Sequence, residues 1–216
     1  MARLKVLLSI GLWVCLAGGT GKLLDQPVLH LCLNRPTHAI LGTHRYYFSW
    51  RDFPTAYQNW LSARNWCRKR CMDLVSFEKP QEYFMLKRNM LADGIRYLWT
   101  SGRRCDFSEA CQRPDLQPVD VHGWFWSGSS VRMRPTTHRA PDNDWSHTGG
   151  FGVPQPDNRE CATGQRNESC MAVLNNYYND GVRWHDVACH HRKQWVCEDS
   201  PLLLNFVRRM NPHLRL

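Results

Sequence analysis

Cysteine placement constrains this chain more than any other feature of its 216 residues. Ten cysteines are present, and Cys15 sits inside an N-terminal stretch laid out like a cleaved secretory signal: Arg3 and Lys5, an apolar run over residues 6–16, then the small residues Ala17, Gly18 and Gly19. Residues 1–19 are therefore read as a signal peptide. The run is too short to span a bilayer comfortably and no second long apolar run follows, so the expected product is secreted, extracellular and without a membrane span. Nine cysteines then remain, Cys32, Cys67, Cys71, Cys105, Cys111, Cys161, Cys170, Cys189 and Cys197, and in an oxidising compartment they read as a disulfide framework. The number is odd, so at least one is free or pairs between chains. No paired Cys-x-x-Cys motifs occur, which leaves little case for structural zinc held by thiolates.

With 43% hydrophobic and 22% charged residues, the chain can bury one sizeable core. Residues 20–44 carry Pro27 and Pro36 and few periodic apolar positions, so they are read as an N-terminal extension in which only Cys32 is tied down. Residues 45–50, RYYFSW, are aromatic and strand-like and open the domain. Two helices follow. Over residues 55–70, Trp60, Ala63, Cys67 and Cys71 recur at steps of three and four, which places a core-facing stripe on one side and Arg64 and Arg68 on another. Pro80 and Glu82 mark the start of the second helix, with Tyr83, Phe84, Leu86 and Met90 available for burial and Gly94 as its stop.

Strands are expected at 74–77, 97–100, 123–127 and 171–174. Trp124 and Trp126 read as core, although an exposed one would suit stacking on a sugar ring. A polar loop over residues 134–166, anchored by Trp145 and Phe151, has a length that usually serves function. The stretch 175–197, NNYYNDGVRWHDVACHHRKQWVC, organises the C-terminal half. Val182 and Trp184 alternate with Arg183 and His185 as in a half-buried strand, and residues 194–197 form a second. Trp184 then anchors in the core while His185 and Asp186 are held at the surface by the strand's end. Residues 200–216 offer Ser200 as a cap, Pro201 at the first helical position and apolar Leu203, Phe206, Val207 and Met210, the pattern of a short basic helix docked on the domain.

Trp60, Ala63 and Cys67, then YLWTSG at 97–102, GWFWSG at 123–128, QPDN at 155–158, Cys170, WHD at 184–186, Cys189 and Cys197 stand in an order that resembles the C-type lectin-like domain family. The resemblance covers residues 45–199, and the single-domain form is most similar to secreted C-type lectins of arthropods. It implies an α+β fold: two helices, small antiparallel sheets and a long loop carrying the ligand site. It also implies disulfides joining Cys67 with Cys197 and Cys170 with Cys189. Beyond these, Cys105 and Cys111 suit a local loop, and Cys32 with Cys71 completes a proposed set that leaves Cys161 odd. Spacing does not fix connectivity, so Cys161 could join any of these pairs or bridge a dimer.

In sugar-binding members of that family, one calcium ion bridges the protein and two sugar hydroxyls. Its ligands come from a Gln/Glu-Pro-Asp/Asn triplet, a glutamate just before the third core cysteine and a Trp-Asn-Asp triplet, a set that suits a hard cation seeking oxygens. Carried over residue by residue, Gln155, Asp157, Glu168 and Asp186 become metal and carbohydrate ligands, with a cis peptide before Pro156. The Gln-Pro-Asp order implies galactose-type sugars. His185 departs from the pattern, standing where the family has asparagine; imidazole is a poor calcium ligand but, with carboxylates, a good one for zinc or manganese. Ser169 replaces a carboxylate of the family's auxiliary calcium site, which is not carried over. Calcium, a transition metal such as zinc, and a metal-free loop network all stand open at this stage. Asn167-Glu168-Ser169 is an N-glycosylation sequon whose middle residue is a proposed ligand, so a glycan on Asn167 would stand at the rim of the site. His190 and His191, being adjacent, point different ways on an extended chain, which speaks for a surface turn and against a shared metal.

The formal charge of +9 falls to +7 once Arg3 and Lys5 leave with the signal. Arg64, Arg68, Lys69 and Arg70, then Arg103 and Arg104, then Arg132 and Arg134, read either as a solvated basic surface or as a patch for anionic polysaccharide. No nucleic-acid-binding motif appears. Neither does a nucleophile elbow, a His-Glu-x-x-His helix or a phosphate loop, so an enzyme is not expected. Acidic residues such as Asp142 and Asp144 read as hydrated loop positions. Two readings follow. One is a secreted lectin for extracellular glycans, possessing a weakened calcium site; the other is a metal-independent interaction or matrix protein that binds protein or anionic polysaccharide. Calcium dependence with galactose competition marks the first, and steep salt dependence with indifference to chelator the second.

Overall fold

The computed structural model describes residues 24–138 and 143–214; the segment read as a signal peptide lies outside them, as does Asp142. Short 3-10 turns aside, the elements in chain order are α1 (Leu29–Leu33), β1 (Ala39–Leu41), β2 (His44–Phe48), α2 (Ser49–Asp52), α3 (Trp60–Arg68), β3 (Met72–Leu74), α4 (Pro80–Ala92), β4 (Tyr97–Arg104), α5 (Val119–His122), β5 (Trp124–Trp126), β6 (Val131–Arg132), α6 (Arg159–Ala162), β7 (Cys170–Asn175), β8 (Val182–Val187), β9 (Gln194–Asp199) and α7 (Pro201–Met210). The class is α+β.

Helix ends follow local chemistry. Asn59 accepts a hydrogen bond from the Ser62 N–H at 2.9 Å, so α3 begins at Trp60 rather than near residue 55. At α4, Pro80 stands in the first turn and the Glu82 carboxylate takes the Glu78 and Lys79 N–H groups, each at 3.0 Å. Ser200 caps α7, whose Leu203, Leu204 and Val207 pack onto Cys32 and Cys71. Residues 49 and 50, expected as the end of the strand, belong instead to α2, where the Ser49 hydroxyl accepts the Trp195 N–H at 2.9 Å.

β9 is the hub of the sheet. Residues from Val196 onward pair antiparallel with β2 on one side and β3 on the other, while Gln194 and Trp195 run parallel to Leu98 and Trp99 of β4. β4 in turn pairs antiparallel with β5 and β7, and β7 with β8. Two aromatic cores flank this arrangement: Tyr47, Trp60, Trp99 and Trp195 in one, Phe48, Trp124, Trp126, Trp145 and Trp184 in the other. Trp60 donates its indole N–H to the Thr100 carbonyl at 2.8 Å and Trp99 to that of Gln58 at 2.9 Å, so buried polar edges are satisfied where α3 meets β4.

Disulfides join Cys32 to Cys71, Cys67 to Cys197, Cys105 to Cys111 and Cys170 to Cys189. Cys161 is disulfide-bonded as well, with no partner among these eight, and no cysteine among the described residues is free; Cys161 is therefore not the odd thiol of the sequence reading. The bridges closing the longest loops, from α3 to β9 and from α1 to the start of β3, constrain the unfolded chain most.

Residues 24–44 are folded onto the domain instead of trailing from it. β1 pairs with β2, and buried Arg35 donates to Asp199 at 2.7 Å, tying the segment to the end of β9. Phe151, expected as an anchor of the long loop, is exposed, whereas Trp145 is buried against Trp124 and Trp184.

Candidate functional site

β8 runs to Val187, one residue beyond the expected surface positions, and its ladder with β7 sets Ala172 opposite His185 and Met171 opposite Asp186. His185 and Asp186 are consequently buried, at 2% and 3% exposure, not surface-held. The Asp186 carboxylate accepts the backbone N–H of Asp157 at 3.1 Å and that of Asn158 at 2.8 Å, which moors the long loop to the strand. Asn158 sits in the left-handed region at φ 49°. From there its side-chain oxygen accepts the Glu168 N–H at 2.8 Å and its amide donates to the Asn167 side-chain oxygen at 3.1 Å. Glu168 accepts the Glu160 N–H at 3.2 Å. Asn158 thus holds both arms of the loop together, a role the sequence reading did not assign although it quoted the residue.

The peptide before Pro156 is cis, and Gln155 is buried with its amide packed on Gly149. A Cβ at Gly149 would lie 2.0 Å from the Gln155 amide nitrogen and 3.1 Å from an Asp157 carboxylate oxygen, so only glycine permits this approach.

Asp157, Glu168 and Asp186 bring carboxylate oxygens within 4.8 Å of one another. Asp157 Oδ2 is buried and has no hydrogen-bond partner among the described residues. Burial pushes the Glu168 carboxyl up to about 7, with the neighbouring Glu160 and Asp157 charges adding to the effect. Burial likewise holds Asp186 well above the usual carboxylate range, and Glu168 raises it further. Gathered carboxylates, one of them with an orphaned oxygen and all hydrogen-bonded by neutral backbone donors, fit an oxygen-seeking divalent cation.

His185 stands outside that group. Its Nε2 faces Asp180 Oδ2 at 2.8 Å, and Ser146 donates its hydroxyl to the same carboxylate. Burial keeps the imidazole below the ordinary histidine range. The cleft over the carboxylates, about 260 Å³, is walled by Gln155, Tyr177, Tyr178, His185 and Lys193. Lys193 packs on Tyr97 and Trp99, and burial lowers its ammonium to about 8.

The basic clusters of the sequence are largely spent on internal partners. Arg64 and Arg68 both reach Asp73, Arg70 lies 3.6 Å from the centroid of the Trp66 ring, Arg103 and Arg104 reach Asp106, and Arg132 reaches Asp115. Asp144, read as a hydrated loop residue, is paired with Lys87 and Arg183.

Antiparallel strands around β9, the longer helices α3 and α4, the moored long loop and the Cys67–Cys197 and Cys170–Cys189 bridges make up a C-type lectin-like fold. No protein-family model matches the chain. It is 24% identical to L-selectin of Mus musculus over 156 residues, 72% of this chain and 32% of that protein. To L-selectin of Bos taurus it is 26% identical over 168 residues, 77% and 35% of the two chains. The chain thus spans about a third of the length of the curated relatives it matches. Among solved structures, the human scavenger receptor C-type lectin carbohydrate-recognition domain superposes with a TM-score of 0.50 at 18% identity, covering 76% of this chain and 97% of that one. Herring type II antifreeze protein superposes at 0.46 with 21% identity, over 74% and 94%. None of the described helices is long and apolar enough to cross a membrane.

Proposed function

We propose that the chain is an extracellular, carbohydrate-binding C-type lectin-like protein whose glycan seats over a divalent cation held by Asp157, Glu168 and Asp186. The observation that carries this reading is the convergence of those carboxylates beneath an open cleft, with one Asp157 oxygen left without a partner. Asp157, Glu168 and Asp186 would hold calcium, a hard cation that prefers oxygen ligands and would supply a seat for sugar hydroxyls. The protein supplies the rest. Gln155 and the polar atoms of Asp157 face the cleft as hydrogen-bonding groups, and their Gln-Pro-Asp order favours galactose-type sugars. Tyr177 and Tyr178 offer rings for the apolar face of such a sugar. The solved neighbour described as a carbohydrate-recognition domain supports the same ligand class. His185 is left out of the cation set because Asp180 engages it. The alternative, a metal-independent binder of anionic polysaccharide, loses support from the arginines already paired with carboxylates.

Thermal unfolding in chelator and then with calcium tests the reading. A cation that binds only the folded state stabilises by about 2.7 kcal/mol at a hundredfold excess over its dissociation constant. The calcium-loaded protein should be retained on a galactose matrix and released by chelator. Retention that survives chelator but fails in high salt would overturn the proposal in favour of the anionic-polysaccharide reading.

Asn167 accepts from Asn158 through its carbonyl oxygen, which leaves its amide nitrogen, the atom a glycan would take, pointed away from that bond. Glycosidase treatment of protein from a secreting eukaryotic host is expected to increase gel mobility. Unchanged mobility means an unused sequon.

A further inference from the structure

We infer that Glu160, His190 and His191 form a second metal site, separate from the carboxylate cluster and suited to zinc. The sequence pointed the other way, since neighbouring side chains diverge on an extended strand. Here the chain is not extended: His191 N–H bonds back to the Ala188 carbonyl at 3.1 Å, in a turn pinned by the Cys170–Cys189 bridge. The two imidazoles stack instead, with centroids 4.5 Å apart and planes at 28°. Opposite them, α6 presents Glu160, and one ligand atom from each of the three residues falls within a 4.8 Å span.

Each member is poised for a cation. His191 Nε2 lies 2.6 Å from Glu160 Oε1, while Glu160 Oε2 is buried and has no partner among the described residues, in a residue only 8% exposed. His190 is exposed and His191 half-buried, so the entry side is open and a water can complete the coordination. Two imidazole nitrogens and a carboxylate are a zinc donor set, and they differ in kind from the all-oxygen set next door. Ligand atoms around tetrahedral zinc stand about 3.3 Å apart, reachable by rotation of the exposed His190 ring. No side chain is shared with the Asp157–Glu168–Asp186 cluster, yet the Glu160 N–H donates to Glu168.

The experiment is zinc titration of the full, untagged protein by calorimetry, in excess calcium so that the carboxylate cluster is competed. One zinc per chain is expected. His190→Gln and His191→Gln should each weaken binding by about tenfold or more, at unchanged calcium response, whereas Asp157→Asn should leave zinc affinity as it was. Zinc binding unaltered in the His190→Gln/His191→Gln double variant would overturn the site. So would zinc binding that disappears with Asp157→Asn while the histidine variants keep it, which would place the metal among the carboxylates. The calcium reading fails independently, through loss of the calcium response with zinc binding intact.

Discussion

Glu168→Gln is expected to abolish calcium-induced stabilisation and galactose retention while making the protein more stable in chelator at about pH 8. The two effects have one cause. Glu168, Asp157 and Asp186 gather like charges away from water, and burial lifts the Glu168 carboxyl from 4.5 to about 7. In the folded protein that group holds its proton more tightly than in the unfolded chain, so without cation the stability falls as pH climbs from 4.5 to about 7 and stays reduced above it. Glutamine keeps the acceptor for the Glu160 N–H and discards the charge. The gain in chelator above pH 7 should be about 1 kcal/mol, well below the full shift because the cleft is open to water. Calcium binding, which depends on that charge, should weaken beyond detection at millimolar calcium. Melting curves of wild type and variant at about pH 5 and about pH 8, with and without calcium, separate these terms. A variant that melts below wild type in chelator at both pH values, or that retains the calcium shift, would sink the assignment.

What the sequence made legible was whatever depends on near neighbours or on one ordered set of motifs. The stripe of Trp60, Ala63 and Cys67 placed α3 on the core, and Pro80 with Glu82 marked the start of α4, because both are set within a turn or two of helix. Gln155, Asp157, Glu168 and Asp186 came from resemblance, and the structure draws the three carboxylates together. What escaped depends on distant partners. Residues 24–44 look structureless since a five-residue helix and a three-residue strand are too short for periodicity to register; they are held by Arg35 reaching Asp199, 164 positions away. The burial of His185 and Asp186 escaped because the apolar alternation stops at Trp184, while the strand continues on hydrogen bonds to β7 and on polar partners, Asp180 and the loop N–H groups. The stacked His190 and His191 escaped because the turn that brings them together is imposed by a disulfide and one backbone hydrogen bond.

Asp73→Ala is expected to destabilise the fold by about 3–5 kcal/mol. Sequence alone made Arg64 and Arg68 surface cations. In the fold they converge on one carboxylate: Arg64 donates to both Asp73 oxygens, at 2.8 and 3.1 Å, and Arg68 to one at 3.1 Å. Asp73 also accepts the Leu74 N–H at 2.8 Å, and Arg64 continues to the Ser127 carbonyl, joining α3, β3 and the turn after β5. Side-chain exposures of 10%, 3% and 12% for Arg64, Asp73 and Arg68 leave little room for water to replace the anion. Alanine would strand two guanidinium groups in that space. The pair of Arg113 and Asp115, both about half exposed or more, has the same chemistry without the burial, and Arg113→Ala should change stability by less than about 1 kcal/mol. Denaturant melts of the two variants measure the difference directly. If burial of unpaired charge is the cause, Arg64→Met together with Asp73→Leu should recover much of the loss, since an apolar pair of similar volume leaves only Arg68, at the rim, to be rehydrated. A double variant no better than Asp73→Ala would instead assign the effect to the backbone and inter-segment hydrogen bonds that Asp73 and Arg64 make.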